Sequence, residues 1–229
     1  ICLHSEEASI VLERDPDRGI LWRHCGARVE PGDLPALAEA RGRATFSMDH
    51  DSALPVMPSA GLGWFGPPLL EAREHWGTAL VFAPTSFDAK GDERRLTVYA
   101  QDQVSSLACR LEIEALAGGA FRFAASLSNE GEAPVTLDAL ASLQLPLPPT
   151  AETIVSWRGR HNAELVECSE EMPQQRWERV SRRGIAGQGG PPGRYVCDRE
   201  AGWHTGLTYA VQLAWSGDST LSVERDDEG

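Results

Sequence analysis

Adjacent or nearly adjacent carboxylates recur in the sequence, and paired carboxylates are common in acid–base and nucleophilic catalysis. Four pairs are considered as candidates: Glu6 with Glu7, Asp49 with Asp51, Glu170 with Glu171, and Asp226 with Asp227. Each pair lies in polar surroundings in a chain with 34 acidic residues, and no local pattern distinguishes one carboxylate from the others. Acidic side chains in such surroundings are mostly exposed. We therefore interpret the pairs as solvated surface charges.

The histidines are scattered through the chain and do not have the spacing of a metal site. They are His4, His24, His50, His75, His161 and His204. No two of them form an i, i+4 or His-x-His pair, so the sequence predicts no metal site. The glycine-rich run 184–193 lacks the Lys-Ser/Thr ending of a phosphate-binding loop, and the chain has no Gly-x-Ser-x-Gly elbow. We therefore predict no cofactor.

An aromatic pair in a loop is the strongest candidate for binding. Residues 58–67 place Trp64 and Phe65 in a segment with three glycines and two prolines. Indole and phenyl rings on such a loop can stack on the apolar face of a sugar. The alternative is that both rings pack into the end of the fold as core residues. We interpret Trp157, Trp177 and Trp203 as core or edge packing.

A period-2 hydrophobic pattern recurs along the chain and predicts the β-strands that would position this loop. Between 107 and 113, apolar residues alternate with Arg110, Glu112 and their neighbours, and 121–127 repeats the pattern. Tyr209, Val211, Leu213 and Trp215 likewise share one face of a strand. Side chains of a strand alternate between its two faces, so one face of each strand is expected to be buried.

The predicted fold class is all-β, a large antiparallel two-sheet β-sandwich formed by residues 1–229 as one domain. We expect the turn 216–218 to join 209–216 and 221–224 into a hairpin. The last strand would then lack a further partner, which leaves the sheet incomplete at its C-terminal end. We also expect a short strand over 76–82 and one or two helical turns over 34–40.

The charge of the chain excludes some classes of partner. A net charge of −13, from 21 basic and 34 acidic residues, disfavours nucleic acid and anionic membranes. The sequence has no run of 18 apolar residues, and its start lacks the pattern of a secretory signal. Its five cysteines are far apart and odd in number, which favours reduced thiols and a cytoplasmic location. Among them, Cys109 is expected to be a core residue.

Several motifs resemble the amino-terminal domain of bacterial and fungal α-galactosidases of glycoside hydrolase family 36, including melibiase-like enzymes. They are Trp157-Arg-Gly-Arg160 with Glu164, Ser181-Arg-Arg-Gly184, and above all Leu213-Ala-Trp-Ser-Gly217. The stretches 3–12, 21–26, 128–131 and 143–146 agree in the same order, so the resemblance spans nearly the whole chain.

The resemblance implies a β-supersandwich that precedes a catalytic (β/α)8 barrel. The two catalytic aspartates of the family lie on that barrel, so the resemblance assigns no catalytic residue to this chain, and we expect the 229 residues alone to be inactive. It implies substrate binding by Trp64 and Phe65 at the pocket rim, a galactoside-type saccharide and the barrel as partners, and a homo-oligomer. Relatives commonly have Asp and Arg where this chain has Trp64 and Gly66, so the resemblance is interpreted as that of a divergent member.

Two other functions are consistent with the sequence. A free-standing carbohydrate-binding β-sandwich module would bind saccharides through Trp64 without an attached barrel. A structural assembly domain would associate through the edge of an unpartnered strand and would show no response to saccharides.

Overall fold

The computed structural model describes residues 1–37, 54–64, 66–184, 187 and 190–225. The predicted fold class is confirmed, since the chain is all-β, antiparallel and sandwich-like. Its residues separate into two compact units, Ile1–Pro146 (unit 1) and Leu147–Gly229 (unit 2). The assignment of residues 1–229 to one domain stays a prediction.

In unit 1, the described residues form three antiparallel sheets, with strand orders β1-β2-β3, β10-β4-β5 and β6-β7-β8-β9. The strands are β1 (Cys2–His4), β2 (Ala8–Asp15), β3 (Gly19–Ala27), β4 (Leu70–Glu74), β5 (Ala79–Leu80), β6 (Ser86–Gly91), β7 (Arg95–Asp102), β8 (Leu107–Ala115), β9 (Phe121–Asn129) and β10 (Val135–Leu140). Short helices lie at Pro31–Asp33, at α1 (Leu34–Leu37), at Ala60–Leu62 and at Ala117–Gly119. The helical turn predicted from Leu34 is therefore confirmed, while 38–40 lie outside the described residues.

Side chains from all three sheets meet in one hydrophobic core. The clearest contribution comes from β8, where every second residue is buried. Its buried side chains include Leu107, Cys109, Leu111 and Ile113. Cys109 is buried in this core, which confirms the expectation that it is a core residue, and burial raises the pKa of its thiol to about 11. Each large aliphatic side chain buried here contributes about 1.5–3 kcal/mol of transfer free energy.

A buried carboxylate fixes the turn between β7 and β8. Asp102 is almost fully buried and accepts hydrogen bonds from the backbone N–H of Ala83 (3.0 Å) and Val104 (2.9 Å) and from the Ser105 hydroxyl (2.7 Å). Desolvation tends to raise the pKa of Asp102, but these hydrogen bonds outweigh it, so the pKa lies below its usual value. The carboxylate therefore ties two loops together in its ionised form.

In unit 2, the described strands form a four-stranded sheet, β12-β11-β14-β15, and a two-stranded ribbon, β13-β16. The strands are β11 (Ala151–Arg160), β12 (Ala163–Glu171), β13 (Arg176–Ser181), β14 (Gly193–Asp198), β15 (Thr208–Gln212) and β16 (Ser219–Glu224). The prediction of a hairpin formed by 209–216 and 221–224 is wrong, because β15 pairs with β14 whereas β16 pairs with β13 along six residues. The last strand therefore has a partner.

The ribbon contacts the sheet of unit 2 through an arginine and a tryptophan. The Arg194 guanidinium lies 4.8 Å from the centre of the Trp177 ring, and the Trp177 indole N–H donates to Glu170 at 3.0 Å. Arg194 is buried, and its Nε has no hydrogen-bond partner among the described residues. Desolvation, followed by repulsion from Arg179, lowers the pKa of Arg194 to about 10. The interior of unit 2 thus contains a charge without a directly bonded carboxylate.

Candidate functional site

The aromatic loop of unit 1 is fixed to the core at both ends. At its start, Val56 N–H donates to the Ile20 carbonyl at 2.7 Å and Trp22 N–H donates to the Leu54 carbonyl at 2.9 Å, so the loop begins as a short extended segment paired antiparallel with β3. At its end, Leu69 N–H donates to the Pro58 carbonyl at 2.8 Å. The loop therefore closes on itself.

A short 3₁₀ helix, Ala60–Leu62, shapes the tip of the loop. The buried Ser59 hydroxyl accepts from Gly61 N–H at 3.2 Å and donates to the Phe82 carbonyl. This arrangement is an N-cap, in which a hydroxyl oxygen binds a free N–H of the first turn. The helix ends at Gly63, which has the left-handed φ of 80° that favours glycine.

The Trp64 ring packs back onto the loop that carries it. A Cβ placed on Gly66 would lie 2.7 Å from the Trp64 ring, so the indole lies directly against the Gly66 backbone. The indole N–H donates to the Pro67 carbonyl at 3.0 Å, and the Gln144 amide donates to the same oxygen at 2.9 Å. Trp64 is half-buried as a result. Phe65 lies outside the described residues.

This geometry limits what the loop can do chemically. The Trp64 N–H is already used, so the ring can offer a ligand only its exposed surface, by stacking. The position of the indole depends on Gly66, because any larger residue would displace the ring. Whether Trp64 and Phe65 contact a substrate stays a prediction.

The ionisable candidates form no catalytic group in the part of the chain that is described. Glu6, Glu7, Glu170 and Glu171 are exposed, as predicted for surface carboxylates. Asp49, Asp51, Asp226 and Asp227 lie outside the described residues. His4 contacts the Ser9 hydroxyl at 2.8 Å, and His24 contacts the Ala27 carbonyl at 2.8 Å. Within the described ranges, no group of three or more His, Cys, Asp or Glu residues could hold a metal ion.

Among the described helices, none has the length and apolar character needed to cross a membrane.

Three tryptophans are exposed that the sequence did not identify as surface residues. Trp203 is 98% exposed in the loop between β14 and β15, so its interpretation as a packing residue is wrong. Trp76 is 86% exposed in the turn at Gly77, and the strand expected over 76–82 is reduced to β5. Trp215 is 64% exposed. Gly217 follows it by two residues, and a Cβ at Gly217 would lie 2.6 Å from the Trp215 Nε1 atom. Glycine follows tryptophan by two residues at 64–66 and at 215–217, but Trp157 and Gly159 have the same spacing without this ring contact, so the spacing alone is not a sequence signal for a packed ring.

The fold is shared with solved α-galactosidases. A variant of AgaA from Geobacillus stearothermophilus, in complex with raffinose, matches with a TM-score of 0.80 and 18% identity over 99% of this chain and 35% of that enzyme. The galactosidase domain of the α-galactosidase–sucrose kinase AgaSK matches with a TM-score of 0.81 and 17% identity, over 99% of this chain and 35% of that protein. The α-galactosidase from Lactobacillus brevis matches with a TM-score of 0.79 and 16% identity, over 99% and 34%.

At these identities the likeness shows the fold alone, and the chain spans about a third of the length of these enzymes. No curated protein sequence matches the chain. The sequence profile of the glycosyl hydrolase family 36 N-terminal domain matches residues 19–229, which is most of the chain. The chain therefore belongs to the family of glycosyl hydrolase family 36 N-terminal domains.

Proposed function

We propose that this chain is the non-catalytic N-terminal domain of an α-galactosidase-like retaining glycosidase. The observation that carries the proposal is the match of nearly the whole chain to one third of α-galactosidases of known structure. In this proposal a catalytic (β/α)8 barrel of the same protein supplies the carboxylates, one as nucleophile and one as acid/base. The protein acts on galactoside-type saccharides in the cytoplasm, where its cysteines stay reduced.

Within the same proposal, the loop 54–68 contributes Trp64 and Phe65 to the rim of the substrate pocket, and the domain takes part in oligomer contacts. The fixed ends of the loop support the rim role, because a stacking residue must be held in place before the substrate arrives. The half-buried Trp64 ring has one side on Gly66, so its remaining surface is available for a sugar.

Hydrolysis of nitrophenyl α-galactoside tests the first part of the proposal. The 229-residue chain should not cleave this substrate, whereas the protein with its downstream barrel should. Cleavage by the 229-residue chain alone would refute the non-catalytic role. If the gene encodes no downstream barrel and the 229-residue chain binds saccharides, the carbohydrate-binding module is favoured instead.

Substitution of Trp64 tests the rim role in the longer protein. Loss of stacking worth about 0.5–1.5 kcal/mol should raise KM for Trp64→Ala by roughly 2- to 12-fold. Trp76→Ala is the matched control, since Trp76 is an exposed tryptophan of the same unit. Equal kinetic effects of the two substitutions, or none, would remove the rim role but leave the domain assignment intact.

A further inference from the structure

A small cavity in unit 2 lies between the ribbon and the segment that follows β15. Its volume is about 20 Å³, and its walls include Arg179, Ser181, Leu213, Trp215 and Ser219. Ser181 and Ser219 face each other directly across the ribbon. A cavity of this size holds one water-sized group. It can therefore receive a single hydroxyl of a ligand rather than a whole ring.

The aromatic part of this site is held in place before any ligand binds. A Cβ on Gly217 would lie 2.6 Å from the Nε1 atom and 3.0 Å from the Cε2 atom of Trp215, so the indole edge lies directly on the glycine backbone. The ring nevertheless leaves 64% of its residue surface exposed. A flat apolar surface thus borders a mainly apolar cavity whose polar groups come from one arginine and two serines.

Of the polar groups, the Arg179 side chain is also held in place. The Arg179 guanidinium donates to the Pro191 carbonyl at 3.1 Å and to the Gly190 carbonyl at 2.8 Å. Guanidinium has five N–H donors, so three have no partner among the described residues. The Ser181 and Ser219 hydroxyls make no hydrogen bond within the described residues, and each can both donate and accept.

These groups fit one class of ligand. An anion would use Arg179, but the net charge of −13 repels it. An apolar ligand would cover the Ser181 and Ser219 hydroxyls without pairing them, which costs free energy. A neutral ring with C–H groups on one face and hydroxyls at its edge satisfies both the indole and the cavity.

We propose that Trp215 and this cavity form a saccharide subsite, in which a pyranose ring stacks on the indole and directs one hydroxyl between Arg179, Ser181 and Ser219. This site shares no lining residue with the Trp64 loop and does not depend on the rim role. It gives unit 2 a binding function of its own.

The test uses the seven tryptophan indole N–H resonances of the ¹⁵N-labelled 229-residue chain. Each resonance is assigned with a single Trp→Phe variant, and raffinose and methyl α-galactopyranoside are titrated into the high millimolar range. The Trp215 resonance should shift along a saturating curve. The Trp203 and Trp76 resonances should not, because these exposed rings do not line the cavity. Equal shifts at all three would show unspecific stacking and overturn the proposal, as would an unchanged Trp215 resonance.

Three substitutions sharpen the test. Ser219→Ala should weaken binding roughly 3- to 10-fold through the loss of one hydrogen bond. Gly217→Ala should displace the indole and abolish saturation, while Ser222→Ala, on the exposed face of the same strand, should leave the titration unchanged. The subsite is refuted if Ser219→Ala and Gly217→Ala both give the same titration curve as the wild-type chain. A response at Trp64 without one at Trp215 would support the rim and overturn this site.

Discussion

Two glycines in the aromatic loop should respond differently to the same substitution. Gly63 has a φ of 80° and nothing within 4 Å of an added Cβ. Gly61 is not among the positive-φ glycines, but an added Cβ would lie 2.4 Å from the Ala83 Cβ and 2.6 Å from the Ala83 Cα. Conformation alone predicts that Gly63→Ala is the more harmful change. The packing predicts the opposite.

The magnitude follows from these distances. Ordinary carbon contacts begin near 3.4 Å, so the loop and the Ala83 backbone must separate by about 1 Å in Gly61→Ala. Such overpacking costs about 1–3 kcal/mol, and separation also breaks the hydrogen bond from Ser59 to the Phe82 carbonyl, worth about 1 kcal/mol. Gly63→Ala pays only the left-handed penalty of about 1–2 kcal/mol.

Urea unfolding followed by circular dichroism measures the free energy of unfolding of both variants. We expect Gly61→Ala to be the less stable by about 1–2 kcal/mol and to shift the Trp64 indole resonance, because the loop that carries the ring moves. Gly63→Ala should leave that resonance close to its wild-type position. The reasoning fails if Gly63→Ala destabilises the protein at least as much as Gly61→Ala, or if neither variant moves the Trp64 signal.

Two further predictions concern buried charges. The pKa of Asp102 is lower in the folded state than in the unfolded chain, so its stabilisation is complete above the unfolded value of 3.8 and is lost as the pH falls through the folded value. Asp102→Asn should therefore lower the free energy of unfolding, measured in urea at neutral pH, by about 1–3 kcal/mol. The difference in free energy of unfolding between variant and wild type should become smaller at about pH 3. A difference that stays constant with pH would contradict a role for the charge. Arg194→Met should change the free energy of unfolding by less than about 1 kcal/mol, because burial of the unpaired Nε offsets the contact with Trp177. Arg194→Ala should cost about 2 kcal/mol through lost packing. Equal costs of the two variants in urea unfolding would show that the charge is what stabilises the fold.

The strands of unit 1 were predictable because their pattern is produced by a single physical requirement. In β8 the residues that face the core are apolar and their neighbours include Arg110 and Glu112, so burial of one face determines both the element and its orientation. The turn to β9 needs positive φ at Gly118 and Gly119, which the Gly-Gly pair supplies. Local chemistry and tertiary packing agree here.

The pairing of the last two strands was not predictable from local sequence. Both alternate as expected, and the segment 216–218 has the composition of a hairpin turn. Yet β15 adds to the edge strand β14, and β16 crosses to β13, more than thirty residues earlier in the chain. Alternation shows that a strand has two faces, but it carries no information about which edge the strand joins. That choice depends on surfaces such as the Trp177 face of the ribbon, which exist only after folding.

The aromatic residues show how far local sequence is informative about a site. Trp64 and Trp215 are each followed two residues later by glycine, and in both cases the indole occupies the space that a Cβ would fill. Trp203 has no glycine two residues after it and is almost fully exposed. The spacing alone does not place the ring, because Gly159 also follows Trp157 by two residues and its Cβ position meets the backbone of 163–165 instead. Nor does the spacing predict which surface of the ring stays open, since that depends on partners distant in sequence, such as Gln144 at the Pro67 carbonyl and Arg179 beside the Trp215 cavity. A binding site needs both the local packing that fixes the ring and the distant residues that supply its polar groups.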